Sequence, residues 1–322
     1  MAVFLGKTMK TVTETTKELK KRGKTLQILY IVFVEILAVA LIVGLGFREY
    51  IAAAVIVVLD FIWYFAWLVR QRRKFSDDVV AANVLYGVCE PLTEPEYLGK
   101  NSLSSEEFDA MEILPVHVAE KSVLTENGFK GKKDRLVLRG WEISFPYIVQ
   151  GVKSSDMYHH LSGTLLTAQR DTNSAGTAAG IQDGINTTPS PSDGYDPKAE
   201  WLILHKEFIN SAAQQDFLSK KQFHKADCSS AELSESFDVY SKAEDASMPE
   251  QLSKAVLKAY RQAEKIAAVR ISKESAQVFV YRSFYSLRIR LRYLPDEAWY
   301  KQNLLAERDA VWSLFKTWKN NA

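Results

Sequence analysis

The chain has 322 residues, 47% of them hydrophobic, and its 41 Lys and Arg against 39 Asp and Glu leave a formal net charge of +2. That length and apolar content accommodate a membrane anchor plus one or two globular units with a sizeable core. The near-neutral balance excludes the broad basic field of a dedicated nucleic-acid binder, and the two distant cysteines, Cys89 and Cys228, lack the CxxC or Cys/His neighbours of a disulfide framework or zinc site and suit a reducing compartment.

Residues 1–25 read as a basic cytoplasmic segment, in which Met9, Val12, Thr16 and Leu19 fall on one side of a helix suited to lie on lipid headgroups. From Leu26 to Phe47 and from Ile51 to Val69 the chain is apolar all round except at Gln27, Glu35 and Asp60. Each run is close to the roughly 20 apolar residues that cross a bilayer core, and neither has the polar stripe of a soluble core helix. Only Arg48, Glu49 and Tyr50 separate them, so residues 26–69 read as an antiparallel transmembrane hairpin. Lys17, Lys20, Lys21, Arg22 and Lys24 precede the first span and Arg70, Arg72, Arg73 and Lys74 follow the second, against Arg48 alone in the turn. This asymmetry predicts a multi-pass protein of the cell inner (cytoplasmic) membrane with both termini cytoplasmic. The first run exceeds a signal-peptide core and lacks a small-x-small exit, so the anchor is expected to be retained.

Glu35 and Asp60 stand at matching depth, about 16 to 20 Å from the turn at 1.5 Å rise per residue. No Lys, Arg or His lies in either span to neutralise them. They define an intramembrane polar pair, a candidate for an oligomer or partner contact or for a proton or cation site. The alternative is two protonated acids hydrogen-bonded to each other or to backbone within the hairpin.

Residues 70–322 read as a cytoplasmic α+β domain with a mainly antiparallel sheet and flanking helices. A partly amphipathic helix over Arg70 to Glu90 is stopped by Pro91 and Pro95, and Ser104 with Glu106, Glu107 and Phe108 resembles a short capped helix. β-rich runs follow at Val116 to Val123, Arg135 to Arg139, Trp141 to Val149 and Leu161 to Ala168. Residues 171–198, rich in Gly, Ser, Thr, Asn, Asp and Pro, read as a disordered insertion before the strand Trp201 to His205, with a linker between two soluble units as the alternative. Phe237, Val239 and Tyr240 read as a strand. Met248-Pro249 opens an amphipathic helix carrying Leu252, Val256, Tyr260, Ala263 and Ile266, Ala276 to Tyr281 is a strand, and a last helix follows from Asp296 with Trp312, Phe315 and Trp318 as packing residues.

The basic-flanked hairpin, Leu103-Ser104-Ser105-Glu106-Glu107-Phe108 after Tyr97-Leu98, Trp141-Glu142-Ile143-Ser144-Phe145, Leu161-Ser162-Gly163-Thr164-Leu165-Leu166, Phe237-Asp238-Val239-Tyr240 and Met248-Pro249 occur in one order. In that order the chain resembles the uncharacterised bacterial two-transmembrane family catalogued as domain of unknown function 3137, over most of residues 70 to 293. The resemblance implies a membrane-anchored cytoplasmic domain and brings no activity or catalytic residues.

No P-loop, dinucleotide fingerprint, nucleophile elbow, HExxH or EF-hand pattern occurs. No catalytic residue, metal ligand or cofactor is assigned. His159 and His160, adjacent on a strand, are poor joint ligands, and His224 with Cys228 would share a helix face without a third orienting group. The alternation Leu287-Arg288-Ile289-Arg290-Leu291-Arg292 places Arg288, Arg290 and Arg292 on one strand face with Arg282 in the same parity. These arginines are candidates for an anionic lipid, an acidic protein segment or, less favoured, RNA; an ordinary solvated face is the alternative. The expected function is a membrane-anchored cytoplasmic interaction or scaffold protein. Its partners would be the bilayer and a membrane or cytoplasmic protein, with a homo-oligomer compatible. The alternatives are a membrane-associated enzyme with an unrecognised site, and a small transport subunit using the intramembrane acids.

Overall fold

The computed structural model describes residues 12–46, 48–114, 123–149, 157–171, 200–207, 211–263, 266–281 and 306–321. Among the described residues the chain divides into two compact units, one ending at Tyr86 and the other built from Gly87 onward.

In the first unit α1 spans Val12–Gly46 and α2 spans Tyr50–Trp63. α2 runs on through a π turn at Tyr64–Leu68 into α3, Val69–Asn83, and a second π turn at Val84–Val88. Continuous helix is expected here because the first proline of the chain is Pro91. Reversal between α1 and α2 uses Arg48 in the left-handed region at φ 60°. Lys17–Gly46 and Tyr50–Ala82 are each long and apolar enough to cross a membrane.

The helices meet along a narrow seam. Phe33, Ala40 and Gly44 of α1 are buried, and Asp60 is the buried residue of α2. Phe33 stacks on Tyr64 with ring centroids 4.3 Å apart and meets the edge of Phe61 at 5.9 Å. A Cβ on Gly44 would stand 3.0 Å from the Cβ of Ala53, so glycine permits close backbone approach near the turn. At the far end Arg22 pairs with Asp78 at 2.8 Å and lies 5.8 Å from the Phe75 ring centre, and Arg72 covers Tyr30 at 5.4 Å. Val12 to Leu19 are part of α1 rather than a separate element, and Leu19 is buried.

The second unit is a nine-stranded antiparallel sheet in the order β1-β2-β3-β4-β11-β10-β5-β8-β6. β1 is Thr93–Gly99, β2 Leu124–Lys133, β3 Leu136–Val149, β4 Met157–Arg170, β5 Trp201–His205 and β6 His224–Lys225. β8 is Phe237–Ser241, β10 Ile266–Ile271 and β11 Ser275–Tyr281. A short parallel pair joins β7, Asp227–Cys228, to β9, Ser247–Met248. The helices are α4 Ser105–Ala110, α5 Ser211–Lys220, α6 Ala231–Ser236, α7 Glu250–Ala263 and α8 Ala306–Asn321. The fold is α+β: two N-terminal apolar helices followed by a domain with a large antiparallel sheet and helices.

Both faces of the central strands are covered, so β5 and β10 read as unbroken buried runs. One face carries Phe108, Ile113, Trp141, Leu165, Leu202 and Phe279 in a continuous cluster reaching Leu218 of α5. On the other lie α7 and α8, which pack on each other, with Val256, Val311, Phe315 and Trp318 buried. The Trp318 indole N–H donates to the Ser272 carbonyl at 2.8 Å. The bulky Phe279 ring fits because it crosses Gly163, where a Cβ would also come within 2.5 Å of the Val280 carbonyl oxygen.

Several sequence expectations are met locally. Ser104 and Glu107 form a reciprocal capping box at the start of α4, and α7 buries Leu252, Val256 and Ala263. The runs at Arg135 to Arg139 and Trp141 to Val149 merge into one strand, β3. Ile266, expected to close the helix after Met248-Pro249, instead opens β10, because both sheet faces there are covered and an apolar run needs no alternation. Residues 116–122, most of the expected insertion at 171–198, and the start of the last helix from Asp296 lie outside the described residues.

Candidate functional site

Within the helix pair the structure separates Glu35 and Asp60, the two acids expected to form an intramembrane pair. Asp60 is 5% exposed and turned into the seam, and its Oδ2 finds no hydrogen-bond partner among the described residues. Glu35 is exposed. It follows Phe33 by two positions, about 200° around the helix, so it lies opposite the seam that holds Asp60. With one side chain exposed and the other buried in the seam on the opposite side of α1, the two acids form no joint site within one helix pair. Around it the outer faces are apolar, with Leu45 71% and Ile51 83% exposed.

The arginine row does not enter the described structure: Arg282, Arg288, Arg290 and Arg292 all lie outside the described residues. His159 and His160 are consecutive residues of β4, opposite Tyr147 and Pro146 of β3. The expected helix face shared by His224 and Cys228 is not formed. His224 belongs to β6, paired with Ser241, whereas Cys228 belongs to β7, paired with Met248. The intervening chain is too extended for an i,i+4 contact, and the Cys228 thiol instead lies 3.6 Å from the Ser230 carbonyl and 3.9 Å from the Ser253 hydroxyl. Cys89 is buried, and burial pushes its thiol up to about 12 despite the opposing charge of Arg308, so it is an inert thiol. Among the described residues no group of three or more His, Cys, Asp and Glu is placed to hold a metal ion.

A charged cluster that sequence reasoning missed lies on the α4 side of the sheet. Arg270, in β10, donates to the Met111 carbonyl at 2.8 Å, to Glu112 at 3.1 Å and to Glu200 at 2.9 Å. Lys242 bridges the same two carboxylates at 3.0 and 3.1 Å, and Lys221 approaches Glu112 at 3.5 Å and Asp109 at 3.8 Å. Burial works to raise the Glu112 carboxyl, but the Lys242 hydrogen bond and the charges of Arg270, Lys242 and Lys221 outweigh it and hold the group below the usual carboxylate range. Three cations face three carboxylates, so the cluster is electrically closed and ties the segment after α4 to the middle of the sheet. Beside it an open groove of ≈ 720 Å³ is lined by Leu218, Gln222, Phe223, His224, Lys242 and Glu244, among others. The Lys242 ammonium stands 5.3 Å from the Phe223 ring centre.

Two further polar devices sit inside the domain. His205 of β5 accepts the Glu207 backbone N–H at Nδ1, 3.1 Å, which leaves Nε2–H to donate to the Tyr260 hydroxyl at 2.9 Å. Burial holds this imidazole below its ordinary value against the pull of Glu207. At a bulge in β2, Asn127 adopts φ 53°, accepts the Tyr97 hydroxyl at 3.1 Å and donates to buried Glu142 at 2.6 Å. Asparagine is among the residues that tolerate this backbone region.

No family model, curated protein or solved structure matches this chain.

Proposed function

We propose that this chain is a membrane-anchored interaction or scaffold protein of the bacterial inner membrane. Its hairpin spans the bilayer with both ends in the cytoplasm, and its α+β domain engages a protein partner or the inner leaflet. The observation that carries the reading is the outer surface of the hairpin, where Ile28, Ile42, Leu45 and Ile51 are 60%, 62%, 71% and 83% exposed on two helices of spanning length. A contiguous apolar surface of that kind belongs in lipid rather than water. The basic flanks supply the orientation, since Arg22 and Arg72 lie at the end of the helix pair away from the turn. In the domain, the charged cluster around Arg270 and the His205–Tyr260 pair are engaged in holding segments together, which supports recognition through the outer surface.

The test uses the full chain in intact cells. Glu49→Cys should react with a membrane-impermeant maleimide added outside, and Ser219→Cys only after permeabilisation. Crosslinking in native membranes should then recover the domain bound to a protein or to leaflet lipid. Outside labelling of Ser219→Cys, or a domain that crosslinks to neither, ends the reading.

A further inference from the structure

We propose that α1 pairs within the membrane with α1 of a second copy of this chain, through the face that carries Glu35. The inference rests on the membrane-spanning reading above. Glu35 is exposed and stands opposite the seam formed by Phe33, Ala40 and Gly44, so the carboxyl of Asp60 is turned away from it. It makes no hydrogen bond or ion pair with another described residue. About 20 Å from the turn, it is also roughly 10 Å from the opposite edge of a core about 30 Å thick, farther than a glutamate side chain reaches. A carboxyl held at that depth against hydrocarbon needs a polar partner, and the spans of this chain contain no basic residue to serve.

The neighbours of Glu35 show what fits. Ile28, Ile31, Glu35, Ala38, Ile42 and Leu45 are all exposed and recur at alternating three- and four-residue spacing, the seam of a left-handed helix pair with one polar position at its centre. Ala38, one turn beyond Glu35, lets a neighbouring helix approach closely. A second copy meets the polar requirement by symmetry. The basic flanks insert every copy in the same direction, so two α1 helices lie parallel and a two-fold axis sets Glu35 against Glu35 at one depth. A carboxylic acid donates and accepts at once, so each side chain satisfies the other.

The experiment is disulfide crosslinking of the full chain in native membranes, in a Cys89→Ala, Cys228→Ser background. Ile42→Cys, on the Glu35 face, should give a dimer of doubled mass, whereas Leu41→Cys, equally outward but off that face, should not. Adding Glu35→Leu should lower the Ile42→Cys dimer yield roughly fivefold, and Glu35→Gln, which keeps a donor and an acceptor, should retain it. Equal crosslinking at Ile42→Cys and Leu41→Cys, an unchanged yield with Glu35→Leu, or an adduct whose mass belongs to a different protein overturns the pairing. Alkaline carbonate extraction of the same membranes reads the anchor separately: release of the chain overturns the spanning reading, while retention without the dimer overturns the pairing alone.

Discussion

At the scale of single residues, the strongest constraints are polar groups that hold distant segments. Replacing Arg270 by Met leaves Glu112 and Glu200 facing each other with less compensation and frees the Met111 carbonyl. Because Lys242 still bridges both acids, the expected loss is about 2 to 3 kcal/mol, at or below the low end for a broken buried pair. Thermal unfolding of the detergent-solubilised chain would measure it, and a Tm within one degree of wild type would remove the clamp role. His205 gives a pH dependence with a definite sign. Its folded-state value is lowered, so as pH falls the unfolded chain takes up this proton first, and the stability the neutral imidazole contributes disappears below the ordinary histidine value of about 6.5. Tm should therefore drop between pH 7 and pH 5, and the drop should be shallower in His205→Asn. Parallel slopes for the two proteins would show that the titration lies elsewhere.

Among the elements, the β2–β3 hairpin shows how backbone chemistry decides a turn. Asp134 and Arg135 occupy its two loop positions with φ 52° and 62°, between the paired residues Lys133 and Leu136. This is the geometry of a type I′ turn, which arginine adopts at a cost and glycine does not. Arg135→Gly should accordingly raise stability by about 0.5 to 1 kcal/mol, read as an increase in Tm without change in the circular dichroism spectrum. Which elements were legible in the sequence follows from where their information lies. The hairpin helices, the Ser104 cap, β5, β8 and α7 announce themselves through local composition, capping chemistry or periodicity. β2 does not, because Glu126, Asn127, Gly128 and Gly131 make it polar and glycine-bearing, and its bulge breaks the alternation. Ile266, the first residue of β10, was read as helix because it continues the spacing of α7, and the rest of that strand carried no alternation to mark it. The Arg270 cluster was invisible, since its members Glu112 and Arg270 are 158 residues apart and neither has a local signature. In the hairpin, the two acids stand out in the sequence as polar breaks in apolar runs, but their opposite facing required the seam, which Phe33 and Gly44 define only once the helices pack.

For the whole molecule, the sheet order matters more than any one contact. β1 to β4 form a meander in chain order, but β4 pairs next with β11 and not with β5, so the β10–β11 hairpin stands between the first four strands and the remainder. A chain carrying an engineered protease site between Asp171 and Glu200 should, once cut, remain one particle on gel filtration, because β4 and β11 keep a seven-residue register from Gly163–Tyr281 to Gln169–Ser275. Separation of the fragments without denaturant would mean that the two halves of the sheet are independently stable. The same arrangement sets a timetable for biosynthesis. When β4 leaves the ribosome its outer edge has no partner, and about 100 further residues must be made before Ser275–Tyr281 exist to cover it. At roughly 5 to 20 residues per second, that edge stays open for something like 5 to 20 s, with the apolar hairpin already made ahead of it. A nascent chain in that condition exposes an unpaired strand edge and two apolar helices at the same time, the combination most prone to association before folding is complete.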